Sequence, residues 1–230
     1  MTAAACNNNP AQGIVDRAIE THGGSAYDAF ELAFDFRDRH YTASQKDGQY
    51  VYTREFTDST GSIKDVLDNN GFMRYRNNQT VELSDEREGA FTRSVNSVIY
   101  FALLPHGLND PPVNKQFVKE TTIDGEPYNL VRVTFDVHEG GHQDIYLYWF
   151  HRDNHTMDYF AYSYETDGGG IRFRKAVNPR KKGGILWQDY MNYRPEDETV
   201  PIDSLEEMFV SGKLRKLSEI KMENIVVKGR

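Results

Sequence analysis

Residues 128–193 constrain the fold of this chain most strongly, because five strand-like runs follow one another there with short turns between them. The runs are rich in aromatic and β-branched residues, and the turns are rich in Gly, Asn, Asp and Pro, which is typical of β-strands and their connections. The runs cover residues 128–137, 144–151, 156–164, 170–177 and 185–193. Since short connections join antiparallel neighbours, we predict an antiparallel meander.

The flanking segments add further strands and three helices. Leu32, Phe34 and Phe36 stand at every second position, and the Asp47-Gly48 pair is a hairpin signal. Helices are predicted over residues 10–22, 85–104 and 203–211, each from a capping residue followed by an apolar stripe. The total is about ten or eleven strands and three helices. The predicted class is therefore α+β and mostly β.

Length and charge narrow the class of protein. A chain of 230 residues can bury a substantial core in one domain, and no run approaches the roughly 20 apolar residues of a transmembrane helix. The net charge of −8 argues against nucleic acid as a partner. We predict an unstructured tether over residues 1–10 and a single domain over residues 11–230.

Cys6, the single cysteine of the chain, is placed for lipidation. Small residues at positions 2–5 lead into it and polar residues follow, as at the end of a bacterial lipoprotein signal. A lipid on Cys6 would anchor the domain to a membrane without a spanning segment. The alternative is a free thiol in an unstructured terminus. We expect the protein in the bacterial cell envelope, facing the periplasm or the cell surface.

Residues 138–142 read H-E-x-x-H, the zinc-binding pattern of metalloproteases. That pattern works on a helix, where its two histidines share one face. Here two glycines stand in its middle, each costing about 1 kcal/mol in a helix, and its flanks have strand character. His151 and His155 repeat the spacing at the next turn, which lies roughly 23 Å away along the intervening strand. We predict loops here and no metal site.

The sequence contains no nucleophile motif, phosphate loop or cofactor-binding motif, so we predict no cofactor and no catalytic residue. Asp144, Asp158 and Asp189 lie within the aromatic strands, where a buried pair of carboxylates could perform acid–base catalysis. The alternative is that these carboxylates face solvent or pair with Arg172 and Arg174.

A cluster of cations interrupts an otherwise acidic chain. Its members are Arg172, Arg174, Arg180, Lys181 and Lys182. Such a cluster indicates a surface for an anionic partner. The alternative is a solvated face on which the cations pair with nearby Asp and Glu.

Apolar side chains supply the candidate ligand contacts. They are Trp149, Tyr159, Phe173 and Trp187 on four neighbouring predicted strands, together with Phe101 and Leu104 in an apolar helix end. A curved sheet lined in this way and covered by a helix is either a closed core or a lipid-sized pocket. In the second case residues 86–104 would form the lid.

Five blocks of the sequence together resemble a family of uncharacterised Bacteroidota lipoproteins. The blocks are the Leu103-Leu104-Pro105 helix end and residues 144–150, 157–162, 169–174 and 184–190, and the resemblance extends over residues 14–225. That family is similar in fold to the periplasmic lipoprotein carriers of the LolA/LolB group. The resemblance implies a large curved antiparallel sheet, a half-barrel, with helices packed over its concave apolar face, and an envelope location.

Three functional hypotheses follow. The first is a membrane-anchored envelope lipoprotein, not an enzyme, that binds a lipid or another apolar or amphiphilic small molecule in the concave face of the sheet. The second is a hydrolase of envelope lipids or glycans that uses paired carboxylates. The third is a structural or partner-binding lipoprotein that presents the cationic cluster.

Overall fold

The structure is a computed structural model that describes residues 9–136, 144–164 and 169–228. The chain divides into two compact units, each built from three segments. Unit 1 comprises Met1–Thr21, Leu108–Val177 and Tyr190–Glu219, and unit 2 comprises His22–Gly107, Asn178–Asp189 and Ile220–Arg230. The expectation of a single domain over residues 11–230 stays a prediction.

Three α-helices and fourteen strands form in the described residues. The helices are α1 (Pro10–His22), α2 (Asp85–Ala102) and α3 (Leu205–Val210). The strands are β1 (Ala29–Phe36), β2 (Arg39–Lys46), β3 (Gln49–Asp58), β4 (Gly61–Asp68), β5 (Gly71–Arg76), β6 (Gln79–Thr80), β7 (Val113–Ile123), β8 (Glu126–Phe135), β9 (Ile145–His151), β10 (Met157–Tyr164), β11 (Gly170–Lys182), β12 (Ile185–Arg194), β13 (Arg215–Ile220) and β14 (Glu223–Lys228).

The strands form two antiparallel sheets of seven, so the predicted class, α+β and mostly β, is confirmed. Their orders are β14-β1-β2-β3-β4-β5-β6 and β13-β12-β11-β10-β9-β8-β7. The sequence predicted fewer strands and one sheet. One reason is that the final predicted strand, residues 219–227, is interrupted at Lys221 and Met222 and forms two strands, β13 and β14, in different sheets. Another is that β2 is largely polar and shows little apolar alternation.

Strand β11 is longer than the sequence predicted. A turn was expected over residues 178–184, but the strand continues to Lys182. The turn is confined to Gly183 and Gly184, whose φ angles are 57° and 83°. Pro179 lies inside the strand, although a residue without an N–H group usually indicates a turn or a strand end. The predicted basic hairpin loop is therefore mostly strand.

In unit 1, a 3₁₀ turn at Ile202–Ser204 packs against β9 and β10. Helix α3, which follows it, contacts the same strands through Trp149 and Tyr159. Glu206 anchors this helix, because its carboxylate accepts hydrogen bonds from Thr121 Oγ1 at 2.7 Å, Trp149 Nε1 at 2.6 Å and Lys119 Nζ at 3.0 Å. Burial raises the pKa of the Glu206 carboxyl, but the three hydrogen bonds together outweigh burial. The pKa of Glu206 therefore lies below its ordinary value.

In unit 2, α2 packs against β3, β4 and β5. Its buried side chains are Val95 and Ile99. Elsewhere in this unit Phe34 stacks on Tyr41, with ring centroids 5.5 Å apart, and the indole of Trp187 lies 5.9 Å from the Phe34 ring. The core of unit 2 is therefore built on β1 and β2 as well as beneath α2.

His22, the last residue of α1, is fully buried. Burial lowers the pKa of His22 from 6.5 to about 4, although a hydrogen bond with the backbone of Leu186 opposes the shift. The charge of Lys181 lowers the pKa further. The imidazole is therefore neutral at pH 7.

We expect His22 to make stability depend on pH. The unfolded chain takes up a proton at His22 near pH 6.5, and the folded protein does so only near pH 4. The neutral imidazole therefore contributes about 3 kcal/mol to the free energy of unfolding above pH 6.5, and this contribution is lost as the pH falls to 4. His22→Gln should remove that part of the slope in urea unfolding at a series of pH values. His155→Asn, which removes a histidine from the β9–β10 turn, should retain it. An unchanged slope in His22→Gln would contradict the assignment.

Candidate functional site

Three strands beneath α2 place their inward side chains in two matching rows. The apolar row is Tyr52, Leu67 and Phe72, and the charged row is Arg54, Asp65 and Arg74, one residue each from β3, β4 and β5. Side chains two positions apart along a strand share a face and lie about 7 Å apart. The two rows are therefore neighbours on the face that α2 covers.

Asp65 is the centre of the charged row. Its carboxylate accepts hydrogen bonds from Nε and Nη2 of Arg54 at 2.8 and 2.6 Å, and from Nε and Nη2 of Arg74 at 2.6 and 2.9 Å. Asp65 is fully buried, and the side chains of Arg54 and Arg74 are 2% and 11% exposed. Two positive groups share one negative group, which leaves the row with a net charge of +1.

Helix α2 closes over the charged row with Ser94 and Phe91. Arg54 Nη1 donates a hydrogen bond to Ser94 Oγ at 2.7 Å. The guanidinium carbon of Arg74 lies 3.6 Å from the centroid of the Phe91 ring, a cation–π contact worth about 0.5–2 kcal/mol. The helix is thus positioned by polar contacts in addition to its apolar side chains.

The apolar side chains beneath α2 form a small cluster. Its buried members are Leu67, Phe72 and Val95, and its half-buried members are Tyr50, Tyr52, Leu83 and Phe91. Aromatic rings that stay half-buried beside a helix keep apolar area available to a ligand. The face beneath α2 thus presents an apolar row beside a charged row.

Two of the predicted ligand contacts lie at the end of α2. Leu104 is 3% exposed and follows the helix, which ends at Ala102. Phe101 is half-buried and meets the ring of Tyr100 edge-on, with centroids 5.9 Å apart. A role for either residue in binding stays a prediction.

Three further predicted contacts lie together in unit 1. Trp149, Tyr159 and Phe173 are at most 4% exposed and belong to one buried cluster. Phe209 of α3 stacks on Phe173 with 4.6 Å between the ring centroids. The sequence left open whether these residues line a pocket or a core. Their packing is that of a core, and the helix that covers them is α3, whereas α2 was the expected lid.

Trp187 does not belong to that cluster. It lies in residues 178–189, which form a segment of unit 2. Its indole is fully buried against Phe34, and its Nε1 donates to the carbonyl oxygen of Lys182 at 3.4 Å. Alternation along β12 shows which residues point inward, but it does not show in which unit the end of the strand is packed.

The predicted cationic cluster is also divided between the units. In unit 1, Arg172 Nη1 donates to Glu198 Oε2 at 2.8 Å. Arg174 lies over the rings of Phe160 and Tyr162, with its guanidinium carbon 5.2 and 5.1 Å from the centroids. Both side chains are therefore engaged by neighbours in their own unit.

The remaining members of the cationic cluster lie in unit 2. Arg180 Nη2 donates to Asp189 Oδ1 at 2.9 Å and to the carbonyl oxygen of Met222 at 2.6 Å. These three residues line part of an open pocket of about 400 Å³. The charge of Arg180 in this pocket is already neutralised by Asp189. Lys181 and Lys182 are exposed. A site for an anionic partner on this cluster stays a prediction.

The carboxylates suggested for an enzyme are engaged separately. Asp158 accepts a hydrogen bond from the Tyr128 hydroxyl at 3.1 Å in unit 1. Asp189, in unit 2, is paired with Arg180. Asp144 lies near Tyr146, and burial together with this negative charge raises the pKa of the Tyr146 hydroxyl.

The H-E-x-x-H sequence, with His138 and His142, lies outside the described residues. His151 is buried at the β9–β10 turn, where its Nδ1 accepts hydrogen bonds from the backbone N–H groups of Asp153 and Asn154 at 3.1 and 3.2 Å. The sequence predicted a turn residue, whereas His151 is the last residue of β9 and its imidazole accepts hydrogen bonds from the backbone of the turn that follows. Across residues 9–136, 144–164 and 169–228, no three His, Cys, Asp or Glu side chains are placed to hold a metal ion.

Cys6, the predicted lipidation site, also lies outside the described residues, and its lipidation stays a prediction. In the part of the chain that the structure describes, no helix is both long enough and apolar enough to cross a membrane.

The charged row is the feature that sequence analysis missed. Arg54, Asp65 and Arg74 each occupy an inward position of an alternating strand, where an apolar residue is expected. A single charge at such a position is an ordinary irregularity. The usable signal was that a charged residue recurs at an inward position on three successive strands. The short turns between these strands bring the three charged residues into one row.

Comparisons with known proteins agree with this fold. A family model, described as a family of unknown function (DUF6503), matches residues 1–222. A LolA superfamily protein from Nitrosomonas europaea has a similar structure, with a TM-score of 0.53 and 13% identity over 96% of this chain and 93% of that chain. A DUF1329 family protein from Desulfovibrio piger has a TM-score of 0.53 and 12% identity over 95% and 93%. The search of curated proteins gave no match. These likenesses show a LolA-like fold.

Asp65→Asn should lower the free energy of unfolding by about 3–5 kcal/mol, because it leaves two buried guanidinium groups without a carboxylate. Replacing the whole row, with Arg54→Met, Asp65→Leu and Arg74→Met together, should recover most of that loss. Equilibrium urea unfolding measures both. Asp38→Asn, in the exposed β1–β2 turn, is the control and should resemble the wild type. An Asp65→Asn variant as stable as this control would refute the buried cluster.

Proposed function

We propose that this chain, which belongs to the DUF6503 family of unknown function, binds an apolar or amphiphilic small molecule in unit 2. The apolar part of the ligand lies along the apolar row, and α2 is the lid. The observation that carries the proposal is the packing of α2. Of its 18 residues, Val95 and Ile99 are the buried ones, although the helix covers three strands.

The two helix-covered faces differ in how completely they are closed. Beneath α3, buried side chains from the helix, the 3₁₀ turn and the strands form a continuous cluster. Beneath α2 the cluster is small and is bordered by half-buried aromatic rings. A helix held by a small apolar area moves away at a lower cost than one that closes a core. Helix α2 is therefore the element that can open to admit a ligand.

The LolA-like fold supports the same function. The LolA/LolB carriers, to which the family that the sequence resembles is similar in fold, have helices over a concave, apolar face of an antiparallel sheet. A fold alone does not determine a function, so the proposal depends on the packing beneath α2. The fold adds that this architecture is suited to a carrier of apolar cargo.

The other two hypotheses have less support. A hydrolase of the proposed kind needs two convergent carboxylates, whereas Asp158 accepts a hydrogen bond from Tyr128 and Asp189 is paired with Arg180. A surface for an anionic partner needs available cations, whereas Arg172 and Arg180 are paired with carboxylates.

The proposal also includes a location in the bacterial cell envelope, with a lipid on Cys6 as the anchor. Helix α1 begins at Pro10, so the tether between the lipid and the folded chain spans at most about 14 Å. Such a tether would keep the folded chain close to the membrane surface, where a lipid is collected or delivered.

Phe72→Ala should weaken the binding of an apolar probe roughly tenfold, because it removes a ring from the apolar row. The fluorescence of Nile red, a neutral dye that brightens in apolar surroundings, measures the affinity. Native mass spectrometry of freshly purified protein detects amphiphiles that were bound in the cell. Phe209→Ala is the matched control, since it removes the same ring from the core beneath α3. It should lower stability and leave the dye affinity unchanged.

Two results would overturn this proposal. The first is a folded protein that binds neither the dye nor a cellular amphiphile. The second is a dye affinity that falls in Phe209→Ala and not in Phe72→Ala, which would assign the ligand to unit 1. Circular dichroism verifies that both variants are folded.

Cys6→Ser should release the protein from the membrane fraction of a bacterial host that lipidates it, because the cysteine carries the anchor. Membrane fractionation and metabolic labelling with an alkyne fatty acid measure the effect. Asn8→Ser, the same new side chain two residues further on, is the control and should remain labelled and membrane-bound. Equal labelling of the two variants would exclude Cys6 as the lipidation site.

A further inference from the structure

The charged row beneath α2 carries more positive than negative charge. Two guanidinium groups face one carboxylate, and the ion pairs that they make within the described residues are both with Asp65. Arg54 makes a further hydrogen bond to the neutral hydroxyl of Ser94. Arg74 lies on the neutral ring of Phe91. One positive charge of the row is therefore left over.

A surplus buried cation is costly, because it has lost its hydration without gaining a full counter-charge. An anionic ligand would supply that counter-charge. Arg74 is the arginine placed to meet one, since its side chain is 11% exposed against 2% for Arg54. Its Nε and Nη2 groups bond to Asp65, and its Nη1 group makes no hydrogen bond to any described residue. That edge of the guanidinium is available as a donor.

The available edge lies beside the proposed site for an apolar chain. Phe91 links the two, because its ring lies 3.6 Å from the Arg74 guanidinium carbon and 6.2 Å from the Phe72 ring. The charged row and the apolar row are about 7 Å apart along the strands. A ligand whose chain packs on Phe72 can therefore reach Arg74 with its head group.

We infer that the site selects amphiphiles with an anionic head group, a carboxylate or a phosphate, which accepts hydrogen bonds from Arg74. This inference rests on the proposed function and names the class of its ligand. The N–H groups of a guanidinium match the oxygens of both head groups in geometry and charge. Binding such a group brings the charged row close to neutrality. Arg54, held by Asp65 and Ser94, keeps the row in register and is a positioning residue.

The test compares three ligands that share a twelve-carbon chain: laurate, dodecyl phosphate and the neutral monolauroylglycerol, each displacing Nile red. In the wild type the anionic ligands should bind roughly tenfold to a hundredfold more tightly than the neutral one. The order of laurate and dodecyl phosphate distinguishes a fatty acid from a phosphate head group. Added salt should weaken the binding of the anions and not of the neutral ligand.

Arg74→Gln should abolish the preference for anions, so that laurate and dodecyl phosphate bind this variant no more tightly than monolauroylglycerol does. Arg93→Gln makes the same change of charge at an exposed position of α2 and should retain the preference. Arg74→Lys keeps the charge and loses the fork of donors, so it should retain part of the preference. If Arg74→Gln does not fold, the wild type and Arg74→Lys decide the question by their response to salt.

The outcomes separate this inference from the function on which it rests. Equal affinity for the three ligands, or a preference that survives in Arg74→Gln, overturns the assignment of the head group and leaves the apolar site standing. Binding of none of the three ligands by the folded wild type overturns the proposed function and this inference with it.

Discussion

The carboxylate of Asp65 is the group on which the arrangement beneath α2 depends. It binds side chains from the strands on both of its sides, and Arg54 extends the connection to the helix through Ser94. A slip of one residue between β3 and β4, or between β4 and β5, would turn an arginine to the opposite face and leave a buried charge without its partner, at a cost of about 3–5 kcal/mol. Buried ion pairs add little net stability, because desolvation offsets their attraction. The cluster therefore specifies the register of three strands and the position of a helix.

The two helices that cover the sheets differ in whether polar contacts or a closed apolar core hold them in place. Helix α3 is joined to its sheet by the hydrogen bonds of Glu206 and by the ring of Phe209, and the core beneath it is closed. Helix α2 is joined to its strands by a serine hydroxyl and a cation–π contact above a small apolar cluster. Polar contacts of this kind can be exchanged for contacts with water or with a ligand when the helix moves, whereas a closed core cannot be opened without exposing apolar surface. This difference in packing is the reason for choosing α2 as the lid of the proposed ligand site.

Local chemistry made much of the fold predictable. Asn9 caps α1 as expected, and the turns signalled at Asp47, Asn77 and Asp124 have the positive φ angles, between 49° and 54°, that those residue types tolerate. The partition of strands between sheets was not predictable in this way. Strand β14 pairs with β1, and β13 with β12, although residues 219–227 read as one strand. Such pairings depend on contacts between segments far apart in the chain, and alternation within one segment carries no information about them.

The site could have been located from the sequence by a different signal. Aromatic content pointed to β9, but adjacent residues of that strand, Tyr148 and Trp149, are both fully buried. A strand buried on both faces is rich in apolar residues whether or not it contacts a ligand. Charges at inward positions are more informative, because stability alone does not favour them. Two-residue turns join β3 to β4 and β4 to β5, which fixes both registers and sets Arg54, Asp65 and Arg74 side by side. In this protein, whose strand β9 is filled on both faces, the departure from the apolar pattern, and not its richest stretch, marks the proposed ligand site.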